Sequence, residues 1–538
     1  MSKVDLDYTL DDKYLLDEGK VFLSGTQALV KLPLIQKKID ELNGINTAGF
    51  ISGYPGSPLG GYDHALHQAS SFLKKNEIVF QPGINEDLAA TALHGSQQTT
   101  LVDSPKYDGV FGLWFGKGPG VDRSGDALKH GNYAGSSKYG GVIALAGDDH
   151  SAKSSTTAHQ SDHAFIHFGM PILNPATVQD YIDFGLLGIA MSRYSGCWIG
   201  MKCITDTVES AASVDIGLDR FKPKFPEDLP SDDDLHLQWG YIPALSETRL
   251  YKKRLPAAQA FAKVNSLDKV IFQGKRKLAI VTSGKAYLDV RQALDELGLD
   301  DKTCEEIGVS LFKVGMVWPL EPDNIMNFVE GNDEVLVIEE KRPIVEDQLM
   351  KYLFNHEKRP LIVGKTDENG EYLIPSEGEL SPSSLSLIIA KRIQKLSLDI
   401  DLSNKIQEID DLILNINSAP VSDLFRLPSF CAGCPHNTST KVPDDSFAFG
   451  GIGCHGMATF MPERKTYNLG QMGGEGVMWT GIAPFTETEH IFQNLGDGTY
   501  YHSGILAIRS AIASKANITF KILVNDAIAM TGGQDISG

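Results

Sequence analysis

One stretch near the end of the chain constrains the fold more than any other. An apolar run over residues 491–495 stops at Gly496-Asp497-Gly498, a helix-like segment follows over 505–513, and a second apolar run, 520–524, ends at Asn525-Asp526. This order predicts strand, tight turn, helix and strand, closing on a polar tip. Glycines on either side of Asp497 let the backbone approach a diphosphate closely, and the Asp497 carboxylate with the Asn525 amide offers hard oxygen ligands to Mg2+. The first N–H groups of the helix would face the same anion. A strand that merely ends in a Gly-Asp-Gly turn is the plain alternative.

Upstream, residues 21–245 also alternate strand-like and helix-like runs. Ala28, Leu32, Ile35, Ile39 and Leu42 fall three to four apart on one helical face, and Pro33 within them predicts an early break or a kink. The strand-like run 47–51 empties into Gly53-Tyr54-Pro55-Gly56-Ser57-Pro58, stiffened by prolines and opened by glycines, suited to ligand contact or to a plain surface turn. A small-residue helix is expected over 88–97, where Asn85 fits an N-cap and Glu86 and Asp87 complement the helix dipole. The functional alternative buries Glu86 against a cofactor ring, where desolvation raises its pKa and lets it exchange a proton. Ala89, Ala90 and Ala92 keep that helix slim enough for another subunit or a ligand to approach. Strand-like runs at 110–115 and 142–146 lead into polar loops, 116–126 and 147–157, which in a parallel sheet gather at the carboxyl edge where ligands bind. His150, His159 and His163 fit hydrogen-bonded surface groups better than a metal site.

A polar, proline-bearing stretch at 221–234 marks a boundary. The second α/β unit, 265–395, has strands expected at 278–282, 309–314 and 334–338 and a helix at 286–297. It shows no phosphate-type loop and no acid pair, so an arranging or dimer-contact role is its default. Residues 396–423 read as a helical linker and 424–538 as a third unit. A length of 538 residues accommodates about three or four domains. The formal net charge of −20 opposes non-specific nucleic-acid binding. No run approaches the roughly 18–20 apolar residues of a membrane span. The opening residues 1–20 are polar and acidic rather than a signal peptide, so a cytoplasmic chain is expected.

Six cysteines in so long a chain do not make a disulfide scaffold, and three of them cluster: Cys431-x-x-Cys434-Pro435-His436, then Gly453-Cys454-His455. Two thiolates of such a loop lie within chelating reach, with a third from the glycine-rich turn. For zinc the set closes with His436 or His455; an iron–sulfur cluster needs a fourth thiolate, and none follows Cys454. Three free buried thiols are the plain alternative.

Taken together, the Tyr54 to Pro58 loop, Asn85-Glu86-Asp87, Cys431-x-x-Cys434, Gly453-Cys454, Gly496-Asp497-Gly498 and Asn525-Asp526 resemble the 2-oxoacid:ferredoxin oxidoreductases, most nearly the single-chain indolepyruvate type. The motifs fall in that family's order over essentially the whole chain. The resemblance implies three α/β units with mostly parallel sheets: pyrimidine-binding (21–245), transketolase C-terminal-like (265–395) and an incomplete diphosphate-binding unit (424–538). It implies Glu86 as the carboxylate facing the aminopyrimidine of thiamine diphosphate, and Tyr54, Pro55, Gly56, Ser57 and Pro58 as the substrate border. Gly496, Asp497, Gly498, Asn525 and Ala527 would hold the cofactor, with Asp497 and Asn525 on Mg2+. Cys431, Cys434 and Cys454 would hold a 4Fe-4S cluster whose fourth ligand this chain does not supply. The implied activity is oxidative decarboxylation of an aryl 2-oxo acid, with coenzyme A and ferredoxin as acceptors, in a homodimer. Because the chain stops at Gly538, four residues past Gln534, a truncated product is expected. A non-oxidative thiamine decarboxylase and an inactive subunit that only pairs with another chain are the alternatives.

Overall fold

The computed structural model describes residues 7–227, 235–240, 242–418, 427–525 and 527–535. Half of the excursion expected at 221–234, the end of the linker, the start of the third unit at 424 and Asp526 lie outside the described residues. The chain divides into two compact units, Met1–Ala419 and Pro420–Gly538.

The first unit holds two large sheets. One has seven strands in the spatial order Met316–Trp318, Ile172–Leu173, Ile199–Ile204, Val142–Asp148, Gly109–Lys117, Thr47–Gly53 and Ile78–Phe80. All neighbours run parallel except the first pair. The other has five strands, ordered Leu361–Val363, Glu334–Ile338, Leu278–Ser283, Val309–Val314 and Lys269–Phe272, with only the last antiparallel. Their central strands are almost wholly buried, as parallel strands covered on both faces must be. Period-two alternation assigns the faces. Ile143 and Leu145 join a core with helices Gly25–Leu42 and Val178–Ser195, whereas Val142, Ala144 and Ala146 join another with Ala89, Leu93 and Leu128. That second core also takes Ala279, Val281, Val335 and Val337 of the five-stranded sheet, so the two sheets share it. Leu278, Ile280 and Ile338 face a third core beneath Gly284–Glu296 and Pro382–Lys395.

Three local outcomes differ from the sequence expectations. Helix Gly25–Leu42 runs through Pro33 without a break. A proline removes the donor for the carbonyl four residues back, here Leu29, and the buried Tyr62 hydroxyl donates to that carbonyl instead at 3.4 Å. The loop expected at 116–126 is largely helical, as Gly118–Arg123 followed by Gly125–Ala134, because Pro119 sits in the first turn, where its fixed φ favours a helix. Met316–Trp318, a short run without a period of its own, closes the edge of the seven-stranded sheet rather than the five-stranded one. Antiparallel pairing with Ile172–Leu173 holds it there, while the Asp268 carboxylate, directly before edge strand Lys269–Phe272 of the five-stranded sheet, accepts from Gly315 N at 2.8 Å and Met316 N at 3.2 Å. Helix Ser403–Ser418 follows the five-stranded sheet, and Leu402 and Ile409 belong to its core.

The second unit carries a four-stranded, all-parallel sheet ordered Thr466–Tyr467, Ala448–Phe449, Ile491–Gly496 and Ile518–Leu523. Gly496 pairs in register with Leu523, which brings the Gly-Asp-Gly turn and Asn525 to the same carboxyl edge.

Candidate active site

In the first unit, Asn85 caps helix Glu86–Gln97 in extended geometry, its side chain accepting from Leu88 N at 3.0 Å. Glu86, one residue on, is only 6 % exposed. Trp114 Nε1 donates to its carbonyl at 2.9 Å, and the carboxylate arm lies under two glycines. A Cβ on Gly120 would come within 2.7 Å of Glu86 Cγ, and one on Gly116 within 3.4 Å. The helix dipole alone does not explain a carboxylate so enclosed, because it also stabilises an N-terminal acid that stays in solvent.

The walls around Glu86 come from the loops at strand ends. Tyr54 N donates to Phe115 O at 3.1 Å, laying the Tyr54 to Pro58 loop along the end of Gly109–Lys117. A Cβ on Gly56 would meet the Lys117 side chain at 2.7 Å, and one on Gly147 would meet Pro58 at 3.1 Å. Lys117 Nζ donates to Ser154 O at 3.1 Å. Burial lowers the Lys117 pKa, against the Asp149 and Glu86 carboxylates that act to raise it. Burial, then the Glu86 and Asp63 carboxylates, push the Tyr54 hydroxyl far above its usual range. Asp149 accepts from Lys153 N at 2.9 Å and Ser154 N at 2.8 Å; burial works to raise its pKa, but these N–H groups bring it below the ordinary value. The structure thus brings Tyr54, Glu86, Lys117 and Asp149 together. No motif marks Lys117 or Asp149; their only signal is a position at or just past a strand end.

Of the three histidines, His159 pairs with Asp122 at 3.2 Å, and no set of three His, Cys, Asp or Glu side chains among the described residues takes a metal-binding arrangement. His150 is not a surface group: it is buried, with Nδ1 3.8 Å from Glu340, and burial followed by Lys202, Lys341 and Lys285 holds it well below its usual pKa.

In the second unit, Asp497 opens the helical turn after its strand and is 5 % exposed. Gly498 N donates to Oδ1 at 2.8 Å and Asn525 N to Oδ2 at 2.7 Å. With its amide nitrogen toward the carboxylate, Asn525 donates to Asp497 at 3.3 Å and to Ala527 O at 2.8 Å. A carboxylate, an amide and a backbone carbonyl thus meet within hydrogen-bonding range, the oxygen set a small hard cation takes, and rotation of the Asn525 amide would present its oxygen. The glycines fit as well, since a Cβ on Gly496 would lie 3.0 Å from His455 and one on Gly498 3.2 Å from Ile528. These residues fit Mg2+ and a diphosphate.

The cysteines fit a cluster less well. Cys434 N donates to Cys431 O at 3.1 Å in a tight turn, and Asn437 Nδ2 donates to both carbonyls. Burial, then the neighbouring Cys434 and Cys431, raises the Cys454 pKa, so the three thiols are neighbours. They do not converge at metal-binding distance, and Cys197, Cys203 and Cys304 are buried in the first unit. Among the described residues, no fourth thiol joins these three. His455 and His436 flank this turn with ring centroids 6.0 Å apart. Burial, then His436, lowers the His455 pKa to about 4, against Asp497.

The family model described as the C-terminal TPP-binding domain of thiamine pyrophosphate enzymes matches residues 451–537, and the one described as the indolepyruvate oxidoreductase domain matches 268–414. A solved 2-oxoglutarate:ferredoxin oxidoreductase from Magnetococcus marinus is similar in fold, with a TM-score of 0.51 at 15 % identity, over 70 % of this chain and 66 % of that one. The architecture is therefore that of a thiamine-diphosphate enzyme. The indolepyruvate oxidoreductase subunit IorA of Pyrococcus horikoshii is 24 % identical over 96 % of this chain and 76 % of its own length. That of Methanothermobacter thermautotrophicus is 24 % identical over 98 % and 79 %. The chain is thus similar to indolepyruvate oxidoreductase subunits over nearly its whole length, and it is an oxidoreductase. Among the described residues, no helix is long and apolar enough to cross a membrane.

Proposed function

We propose that this chain carries out thiamine-diphosphate-dependent oxidative decarboxylation of an aryl 2-oxo acid of the indolepyruvate kind, acting as a cytoplasmic homodimer. The observation that carries the proposal is the enclosed Glu86 carboxylate under Gly116 and Gly120, with Lys117 beside it. Residues 21–245 would bind the pyrimidine, 265–395 would arrange the assembly, 396–423 would link, and 424–538 would bind the diphosphate. The two large sheets of the first unit and the ranges matched by the two domain families support that division.

When bound, thiamine diphosphate supplies a sink for the electron pair that decarboxylation leaves behind. The chain's own residues do the rest. Asp497, Asn525 and the Ala527 carbonyl would hold Mg2+, and Gly496 and Gly498 would let backbone reach the diphosphate. Glu86 would hold and pass a proton at its carboxyl group toward the aminopyrimidine, from its place beneath Gly116 and Gly120. Lys117 is the cation available to the substrate carboxylate, and the Tyr54 to Pro58 loop borders the keto acid and excludes water. Coenzyme A as acyl acceptor and ferredoxin as electron acceptor follow from kinship alone; Cys431, Cys434 and Cys454 would serve a 4Fe-4S cluster only with a fourth ligand from elsewhere.

The test is release of labelled CO2 from carboxyl-labelled indolepyruvate with thiamine diphosphate and Mg2+, with product identity as a second readout. Glu86→Gln should bind the cofactor normally and lose about 10²- to 10⁴-fold in rate. Unchanged turnover in that variant would sink the assignment of Glu86. Free aldehyde made without any electron acceptor would replace the oxidative reaction with a simple decarboxylation.

A further inference from the structure

We propose that His455, with His436 beside it, belongs to the diphosphate-binding apparatus of the second unit as a hydrogen-bond donor that no motif announces. The inference rests on the thiamine-diphosphate assignment above. Both rings are deeply buried, at 2 % and 5 % exposure, yet His455 Nε2 and His436 Nδ1 have no hydrogen-bond partner among the described residues. Asn494, fully buried near the end of the same strand that leads into Gly496-Asp497-Gly498, also has no partner for either amide atom among the described residues.

Buried polar atoms without partners are rare because each forfeits its hydration. Scattered through a core they would mean little. Here they gather at the carboxyl end of a parallel strand, where open α/β sheets bind their ligands. The charged neighbour common to both rings is Asp497.

The packing also holds the His455 imidazole in place. A Cβ on Gly451, Gly453 or Gly496 would come within 2.8, 2.9 or 3.0 Å of its ring atoms. Three glycines therefore close around one imidazole, leaving it little freedom to turn outward. With its proton on Nε2 the neutral ring has an N–H to give at the unpartnered position, and a diphosphate presents only acceptors. Glu475 takes the neighbouring backbone donors, Ile452 N at 3.3 Å and Gly473 N at 2.7 Å, so those N–H groups are already engaged.

The experiment measures binding rather than turnover. Full-length wild type, His455→Ala and His455→Gln are titrated with thiamine diphosphate and with inorganic pyrophosphate, each with Mg2+, by calorimetry. His455→Ala should bind both about tenfold to a hundredfold more weakly, the loss of one hydrogen bond to a charged group, and His455→Gln, which keeps an N–H, should recover part of it. In wild type carrying 15N-histidine, pyrophosphate with Mg2+ should move the His455 ring signals, a readout that needs no variant to fold. Ring signals that stay put, or a folded His455→Ala that binds as tightly as wild type, overturn the inference while leaving the cofactor assignment standing. Wild type that takes up no thiamine diphosphate overturns that assignment, and this inference with it.

Discussion

Lys117 shows what a single residue contributes once neighbours are in place. It ends a buried strand and is itself half-buried, with the Asp149 and Glu86 carboxylates near enough to favour its charge. A cation there gives a negatively charged keto acid a partner that Glu86 alone would repel. Lys117→Met should therefore lower kcat/KM for the 2-oxo acid by about tenfold to a hundredfold, mostly through KM, with thiamine diphosphate binding unchanged. An equal fall in cofactor affinity would instead make Lys117 a scaffold for the Tyr54 to Pro58 loop, which its side chain also supports.

Helix Gly25–Leu42 carries the argument at the scale of the element. Its Ser24 cap forms a capping box with Gln27, and its apolar face packs against Val178–Ser195, so ends and face both favour the helix. Pro33 opposes it, and Tyr62, on the neighbouring helix Gly60–Gln68, supplies the missing donor. Tyr62→Phe should cost about 1 kcal/mol by leaving the Leu29 carbonyl unpaired. In a Pro33→Ala background, where the backbone N–H returns, the same change should cost measurably less. Urea midpoints of the four proteins give the coupling, and strict additivity would show that the hydroxyl does not replace the lost donor.

At the scale of the whole molecule, buried acids tie the two large sheets of the first unit to the pH of the solution. Asp268, directly before edge strand Lys269–Phe272 of the five-stranded sheet, clamps the backbone entering Met316–Trp318 of the seven-stranded sheet, while its Oδ2 has no partner among the described residues. Burial raises its pKa to about 7, against the two backbone N–H groups that lower it. A folded value above the unfolded one means that the stabilisation is complete below about pH 4 and is lost as pH rises through about 7. Burial likewise pushes Glu339 to about 7, in the same sense, even though three N–H groups at the start of Val345–Leu353 donate to it. The free energy of unfolding should therefore fall between about pH 4 and pH 7 at up to about 1.4 kcal/mol per pH unit for each acid, and Asp268→Asn should flatten the slope. Denaturant titrations at pH 4.5 and 7.5 measure it, and equal slopes for both proteins would count against the clamp.

Much of this architecture is written locally. Short apolar runs bounded by glycine or charged residues mark strands Thr47–Gly53, Val142–Asp148, Glu334–Ile338 and Ile491–Gly496, and Asn85 and the Gly-Asp-Gly turn mark where helices begin. Such patterns are legible because a strand or a cap is decided by residues within a few positions of one another. The chain alone does not say what each buried face is turned toward. Only the packed structure sends Met316–Trp318 to the other sheet, carries a helix through Pro33, and encloses Glu86 beside Lys117 under glycines some thirty residues downstream. Periodicity records that a side chain is hidden, whereas its partner is chosen by contacts between segments far apart in sequence, and those exist only once the sheets have formed.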